Sequence, residues 1–174
     1  IPIEGHLLII SDNPVFIRRI LHEMSRVSLQ EQIKILSEIQ PFGVLPENLE
    51  IEWIHGPSND EESFRKANAS EAKVAFIDHL HDGQNLMAVL RLEQVSDGEV
   101  FSISTYHEKD FDQQLLKVGC DFCLQVDDLV APLLYQSAFN SGLGTMIEQI
   151  LSEESTSQSL FVRKLKHDWQ VQNW

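Results

Sequence analysis

Short apolar runs alternate along the chain with stretches in which hydrophobic residues recur at helical spacing. The apolar runs predict six β-strands, because each has the length of a buried strand and ends at turn-forming residues. These strands are expected at residues 6–11, 32–37, 49–54, 73–78, 100–105 and 122–126. Residues 49–54 alternate between apolar and polar positions, which is typical of a strand near the edge of a sheet.

Helical spacing of apolar residues predicts helices between these strands. The first begins near Pro14, which fits a first helical position, with Asp12 or Asn13 as its cap. Further helices are expected at residues 60–67, 85–94, 110–118 and 130–139. Strands that alternate with helices at this spacing predict βαβ units. We therefore expect an α/β fold with a Rossmann-like, doubly wound, mostly parallel six-stranded sheet.

Ligands bind to such a sheet at the carboxyl ends of its strands, near the point where the strand order reverses. The segments that follow the predicted strands are therefore the candidate binding site. They are residues 11–13, Glu38, residues 55–58, residues 78–82 and residues 105–108.

The chain of 174 residues is strongly acidic, with 27 acidic and 13 basic residues and a formal net charge of −14. A surface this negative repels phosphate backbones, so we expect no nucleic-acid partner. No apolar run reaches the roughly 18 residues that cross a membrane, and no signal peptide is visible. The first residue is Ile rather than Met, so we expect the sequence to be part of a longer protein.

Cys120 and Cys123 form a lone C-x-x-C pair. A structural zinc site needs four ligands, and a redox pair is expected just after a strand, at the start of a helix. This pair instead leads into a predicted strand, so we expect reduced, structural thiols.

The alternation of strands and helices ends after residue 139. Residues 140–144 predict a flexible joint, and residues 145–152 predict one short helix with an apolar stripe that needs another surface to cover it. Either a neighbouring subunit or the chain's own core would supply that surface. We therefore divide the chain into a domain at 1–140, a helix at 141–154 and a tail at 155–174.

The sequence contains no catalytic motif of the common kinds. It lacks the G-x-S-x-G elbow, the H-E-x-x-H zinc motif and the glycine-lysine pair of a P-loop. We therefore expect a binding domain and not an enzyme. The alternatives are a Rossmann-type, nucleotide-dependent oxidoreductase and a structural assembly module with a degenerate ligand site.

Five segments occur in an order that is typical of one known family. They are GHLLII at 5–10, WIHGP at 53–57, AKVAFID at 72–78, NLMAVL at 85–90 and LLKVGCD at 115–121. This series resembles the RCK domains, which regulate potassium conductance, and the similar N-terminal domains of Trk-type potassium uptake systems. The resemblance covers about residues 5–150.

The resemblance implies a ligand-sensing regulatory domain of a potassium channel or uptake system, on the cytoplasmic side of the cell membrane. It implies a homodimer or a higher ring assembly, and a membrane pore domain on the same or a partner chain. Residues 145–152 resemble the family's C-terminal crossover helix, which packs on a neighbouring subunit, and the tail would lead toward a further lobe. Ligand binding would be coupled to gating through rearrangement of the subunits.

Dinucleotide-binding members carry G-x-G-x-x-G after the first strand, where Ser11, Asn13 and Phe16 replace the glycines here. Asp12 adds a negative charge beside any phosphate, so we expect NAD to bind poorly. Glu38 nevertheless stands where a ribose-binding acid belongs. The cofactor-binding candidates are Ser11, Asp12, Asn13, Glu38, His55 and Asp78.

Some members bind calcium through carboxylates at the ends of the fourth and fifth strands. Asp78 matches the first of these, while Thr105 and His107 replace the fifth-strand acids and Glu108 is adjacent. Replacing a carboxylate by an imidazole favours a softer ion such as zinc. The sequence leaves the identity of the cofactor undecided. A divalent cation at Asp78, His107 and Glu108 is one candidate, and a nucleotide is the weaker one.

Overall fold

The computed structural model describes residues 5–26, 31–40 and 45–126. All six predicted strands are present: β1 (His6–Ile10), β2 (Ile33–Ser37), β3 (Ile51–His55), β4 (Ala72–Ile77), β5 (Phe101–Tyr106) and β6 (Phe122–Gln125). Every neighbouring pair is parallel, and the strand order is β3-β2-β1-β4-β5-β6. The predicted Rossmann-like α/β fold is thereby confirmed.

The helices of the described ranges are α1 (Pro14–Ser25), α2 (Glu61–Lys66), α3 (Asp82–Ser96) and α4 (Asp112–Lys117), with a 3-10 turn at Ala69–Glu71. None of these helices has the length and apolar character needed to cross a membrane. The predicted helices at 130–139 and 145–152 lie outside the described residues. So do the predicted divisions at 141–154 and 155–174.

Two separate apolar cores hold the helices against the two faces of the sheet. On one face, α1 buries Ile17 and Leu21 against the strands. On the other face, α2, α3 and α4 contribute Phe64, Leu92 and Leu115. All five side chains are essentially inaccessible to water. Each therefore contributes about 1.5–3 kcal/mol relative to an exposed position, which fixes the helices in place.

The strand order reverses between β1 and β4. β1 pairs with β2 on one side and with β4 on the other. The loops that leave β1 and β4 run to opposite faces of the sheet, because α1 and α3 belong to different cores. Such a divergence opens a cleft at the carboxyl ends of the strands, which is where ligands bind in open α/β sheets.

Candidate functional site

The loop between β1 and α1 closes on its own helix. Asn13 caps α1, because its Oδ1 accepts hydrogen bonds from the backbone amides of Val15 and Phe16 at 3.1 and 3.3 Å. Ser11 Oγ in turn accepts a hydrogen bond from the Asn13 amide at 3.0 Å. In a dinucleotide site, the amides at this helix start face the pyrophosphate. Here these amides donate their hydrogen bonds to the Asn13 side chain instead.

Asp78 joins the carboxyl ends of three neighbouring strands. It follows β4, and its Oδ2 accepts a hydrogen bond from Asn13 Nδ2, beyond β1, at 3.0 Å. Its Oδ1 accepts a second one from Thr105 Oγ1, on β5, at 2.7 Å. Asp78 is buried, and both of its carboxylate oxygens are bonded inside the protein. The residue that the sequence suggested as a metal ligand is therefore a structural tie between β1, β4 and β5.

Asp12 turns toward the end of β2. Its Oδ1 accepts hydrogen bonds from the Glu38 amide at 2.8 Å and from Ser37 Oγ at 3.0 Å. Burial alone would raise the pKa of Asp12, but the nearby His79 ring, the Glu38 amide and the Ser37 hydroxyl together outweigh burial and lower this pKa. Asp12 is therefore anionic at neutral pH, as its expected repulsion of phosphate requires.

His79 lies buried behind Asp12. Its side chain is 1% exposed, and its Nδ1 lies 3.5 Å from Asp12 Oδ2. That separation is too long for a firm hydrogen bond, so the contact is electrostatic. Among the residues that the structure describes, neither ring nitrogen of His79 has a hydrogen-bond partner. Buried polar groups without partners are uncommon in folded proteins, so this ring is an unusual feature of the site.

Asn85 fastens the ends of β4 and β5 to each other. Its Oδ1 accepts a hydrogen bond from the His79 amide at 2.7 Å, and its Nδ2 donates one to the Thr105 carbonyl at 2.9 Å. Sequence reasoning did not find this role. The available signal was a polar residue on the inward face of a helix, since Asn85 stands one turn before the buried Val89.

Asp82 organises the loop that follows β5. Its carboxylate accepts hydrogen bonds from the backbone amides of His107 and Glu108 at 2.9 and 2.7 Å. The His107 ring adds a contact of 3.1 Å between its Nδ1 and Asp82 Oδ1. The Asp82 side chain is 3% exposed, so its charge is held by donors from one loop.

The structure does not bring Asp78, His107 and Glu108 together as a metal site. Asp78 is bonded to other side chains, while His107 and Glu108 are attached to Asp82 through their amides. Within the described ranges, no group of three His, Cys, Asp or Glu side chains is arranged to hold a metal ion. The geometry therefore does not support the expected divalent-cation site.

A small cavity opens at the carboxyl ends of β1, β2 and β3, beside the start of α3. Its volume is about 170 Å³. It is lined by Asp12, Glu38, Pro57, Ser58, Asn59, Gly83, Gln84 and Met87. We call it the acidic cavity. Two predicted site residues, Asp12 and Glu38, meet here, whereas His55 ends β3 with an exposed side chain. Sites for drug-sized ligands measure roughly 300–1,000 Å³, so the acidic cavity suits a smaller molecule.

A larger cavity of about 400 Å³ lies between α2 and α3, away from the carboxyl ends of the strands. Its lining carries two acidic and two basic side chains, and Glu61 pairs with both Arg65 and Arg91. It therefore lacks the net negative charge of the acidic cavity.

Cys120 and Cys123 are free thiols, the first just before β6 and the second within it. Burial, together with the neighbouring Cys120 thiol and the charge of Asp112, raises the pKa of Cys123 to about 12. A thiol with this pKa is fully protonated at neutral pH and unreactive. The pair therefore agrees with the expected reduced, structural role.

Solved structures with this fold include domains of membrane and channel proteins. The TrkA-N domain of the inner membrane protein ybaL from Escherichia coli is 13% identical, with a TM-score of 0.62 over 78% of this chain and 98% of that domain. The human SLO3 gating ring is 15% identical, with a TM-score of 0.62 over 92% of this chain and 31% of that chain. The GsuK RCK domain is 16% identical, with a TM-score of 0.56 over 71% of this chain and 27% of that chain.

No protein-family model and no curated protein matches the chain. At these identities the likeness shows a shared fold, and it confirms the predicted resemblance to RCK and TrkA-N domains at that level. The chain spans less than a third of the SLO3 and GsuK chains but nearly all of the ybaL domain.

Proposed function

We propose that this chain is a ligand-sensing regulatory domain of a potassium channel or potassium uptake system. The fold that it shares with the ybaL TrkA-N domain, the GsuK RCK domain and the SLO3 gating ring supports the proposal. In this role the chain lies on the cytoplasmic side of the membrane. It forms a homodimer or a ring, next to a pore domain on the same or a partner chain.

One observation carries the proposal: the strand ends beside the acidic cavity form a single hydrogen-bonded unit. Asp78 bonds to Asn13 and Thr105, and Asn85 bonds to the backbones of His79 and Thr105. A ligand that shifts one of these loops must therefore shift its neighbours as well. Such a concerted change transmits binding to a pore when the ligand prefers one arrangement of the loops to the other.

We propose that the site does not catalyse a reaction. Ser37, Asp12 and His79 lie in a row, with the Asp12 carboxylate in the middle. In a catalytic triad the histidine stands between the serine and the carboxylate, because it must take the serine proton. The order found here leaves Ser37 without a histidine to take its proton, since its hydroxyl donates to Asp12 and contacts the Ile39 carbonyl.

The regulatory role is tested in the complete transport protein by measuring potassium flux with and without its effector. Asn85→Ala and Thr105→Val both loosen the hydrogen-bonded strand ends. We expect them to weaken the effector's influence on flux while basal flux persists. Arg91→Ala, at the far cavity, is the control and leaves regulation intact. Unchanged regulation in both strand-end variants would contradict the proposal.

The assembly is tested by sedimentation velocity of this chain from about 1 to 100 µM, because a dimer dissociates on dilution by mass action. We expect a dimer or a larger species at the upper end of this range. A monomer throughout would contradict the proposed assembly and leave ligand sensing to be judged by the flux experiment.

A nucleotide is the second candidate ligand, since the GsuK channel has been solved bound to NAD and bound to ADP. Glu38 follows β2, where a ribose-binding acid stands in this fold. Two features disfavour nucleotide binding. Asn13 already accepts hydrogen bonds from the α1 amides that would bind a phosphate, and the negative charge of Asp12 repels one. We therefore expect no shift of the melting temperature with about 1 mM NAD. Micromolar affinity in calorimetry would favour the nucleotide.

A further inference from the structure

One wall of the acidic cavity is lined by two carboxylates. Asp12 uses Oδ1 to hold the end of β2, while its Oδ2 faces His79 Nδ1 at 3.5 Å, which is too long for a firm hydrogen bond. Glu38 is exposed, and its carboxylate has no partner within the described ranges. No lysine or arginine is among the described residues that line the cavity. Two carboxylates at one mouth attract a cationic group.

The opposite wall is the N-terminus of α3, a helix of 15 residues. Its cap residue, His81, makes no side-chain hydrogen bond to the helix. Asp82 turns its carboxylate away, to the loop after β5. The Gly83 amide therefore has no acceptor among the described residues, and a methyl group placed on Gly83 would meet nothing within 4 Å. The free amide and the helix dipole together favour a negative group here.

His79 gives a third indication, through its contact with Asp12. Its buried ring directs Nδ1 at Asp12 Oδ2, which belongs to the cavity lining, and in the described part of the chain both ring nitrogens lack hydrogen-bond partners. Buried polar groups without partners lower stability and are uncommon in folded proteins, and this one lies directly against the Asp12 carboxylate that lines the cavity. We infer that this wall of the cavity is arranged for binding at the expense of stability.

We propose that the acidic cavity binds a small zwitterion of the α-amino acid class. The ammonium group lies between Asp12 and Glu38, and the carboxylate faces the Gly83 amide. Asn59 and Gln84 offer hydrogen bonds to the ligand, and Met87 offers an apolar contact to its side chain. A volume of about 170 Å³ admits a molecule of this size and excludes a dinucleotide. The inference rests on the proposed function and names the ligand that the domain senses.

The ligand class is tested by thermal shift and calorimetry on the 174-residue chain, with each of the twenty standard L-amino acids at about 10 mM. At least one should bind saturably. The best binder is then compared with the amine that lacks its carboxylate and the acid that lacks its ammonium. We expect each analogue to bind about tenfold more weakly, since each loses one charged hydrogen-bonding group. Binding of no amino acid, or equal binding of either analogue, would overturn the proposal.

Two variants and one control locate the site. Glu38→Gln removes one carboxylate of the cavity, and Gly83→Pro removes the free amide, which the first turn of a helix tolerates. Glu99→Gln is the control, since it removes an exposed carboxylate elsewhere. We expect about tenfold weaker binding in Glu38→Gln and Gly83→Pro and unchanged binding in Glu99→Gln. Equal losses in the control and in either variant would overturn the assigned position, and circular dichroism verifies that each variant is folded.

Failure of the ligand class and failure of the proposed function give different results. Amino acid binding that leaves potassium flux unchanged keeps the ligand and removes the regulatory role. Regulation of flux by another effector, without amino acid binding, keeps the regulatory role and overturns this inference.

Discussion

Asn13 and Asp78 hold together the two strand ends between which the order of the sheet reverses. Nδ2 of Asn13 donates to Oδ2 of Asp78 at 3.0 Å, while Oδ1 of the same amide caps α1. One side chain thus ties β1 to β4 and occupies the helix amides that would otherwise face a phosphate.

Replacing Asn13 by alanine should lower the free energy of unfolding by about 1–4 kcal/mol, because it removes a helix cap and leaves one oxygen of a buried carboxylate unpaired. Urea denaturation of the purified chain measures the change. Asn13→Ser is the matched control, since its hydroxyl retains a capping oxygen but does not replace the amide donor to Asp78. We expect an intermediate loss for the serine variant, and wild-type stability in the alanine variant would contradict the dual role.

Gly56 should not tolerate a side chain. A methyl group on Gly56 would lie 2.9 Å from Ser63 Cβ and closer still to its hydroxyl. Ser63 is buried and bonded to Asp60 at 3.0 Å, so it has no room to withdraw. Gly56→Ala should cost about 1–3 kcal/mol in a denaturation experiment. Gly83→Ala, where the added methyl group meets nothing within 4 Å, should not lower stability and should raise it by up to about 1 kcal/mol, because alanine favours a helix more than glycine does.

Recovery identifies the cause of that loss. Adding Ser63→Ala to Gly56→Ala removes the closest atom of the clash, and it should restore part of the lost stability, whereas Ser63→Ala alone should not stabilise the protein. No recovery in the double variant would show that the Gly56 effect has another origin.

Glu93 should destabilise the protein at neutral pH. Burial, followed by the charge of Asp121, raises the pKa of Glu93 above its ordinary value of 4.5. The folded state therefore binds this proton more tightly than the unfolded state, and stability falls as pH rises through the window between the two pKa values. Glu93→Gln should raise the melting temperature at pH 7 and lose this advantage near pH 4. An equal gain at both pH values, or a similar gain in Glu99→Gln, would contradict the assignment.

Cys123 should react slowly in the folded protein. With a pKa of about 12, its thiolate fraction at pH 8 is at least about a hundredfold below that of a free cysteine. Iodoacetamide labelling followed by mass spectrometry should give rapid modification only after unfolding in guanidinium chloride. Rapid labelling of Cys123 in the native chain would show that the thiol pair is a reactive centre.

The strands were predictable from sequence because burial on both faces requires continuous apolar runs. β4 was expected at residues 73–78 and is found at Ala72–Ile77. The start of α3 was missed, because residues 82–84 are polar or glycine and add nothing to an apolar period. Parallel order also followed from the alternation, since a strand-helix-strand unit returns the chain to the same direction.

The site was only partly predictable, because the strand order gives the position of a side chain but not its direction. Asp12 and Glu38 meet at one cavity, as their places after β1 and β2 suggested. Asp78, His107 and Glu108 also stand at neighbouring strand ends, yet Asp78 points at Asn13 and Thr105. Loop conformation decides such pairings, and no hydrophobic period records it.

The central place of β1 has a consequence during synthesis. Ile9 pairs with Ile35 on one side and with Phe76 on the other. The ribosome delivers β1 and β2 well before β4, so the first strand waits with one open edge until Ile77 has left the exit tunnel. Unpaired backbone groups on an apolar strand are a template for another nascent chain. The interval between translation of β2 and of β4 is therefore the period in which this protein most needs protection from aggregation.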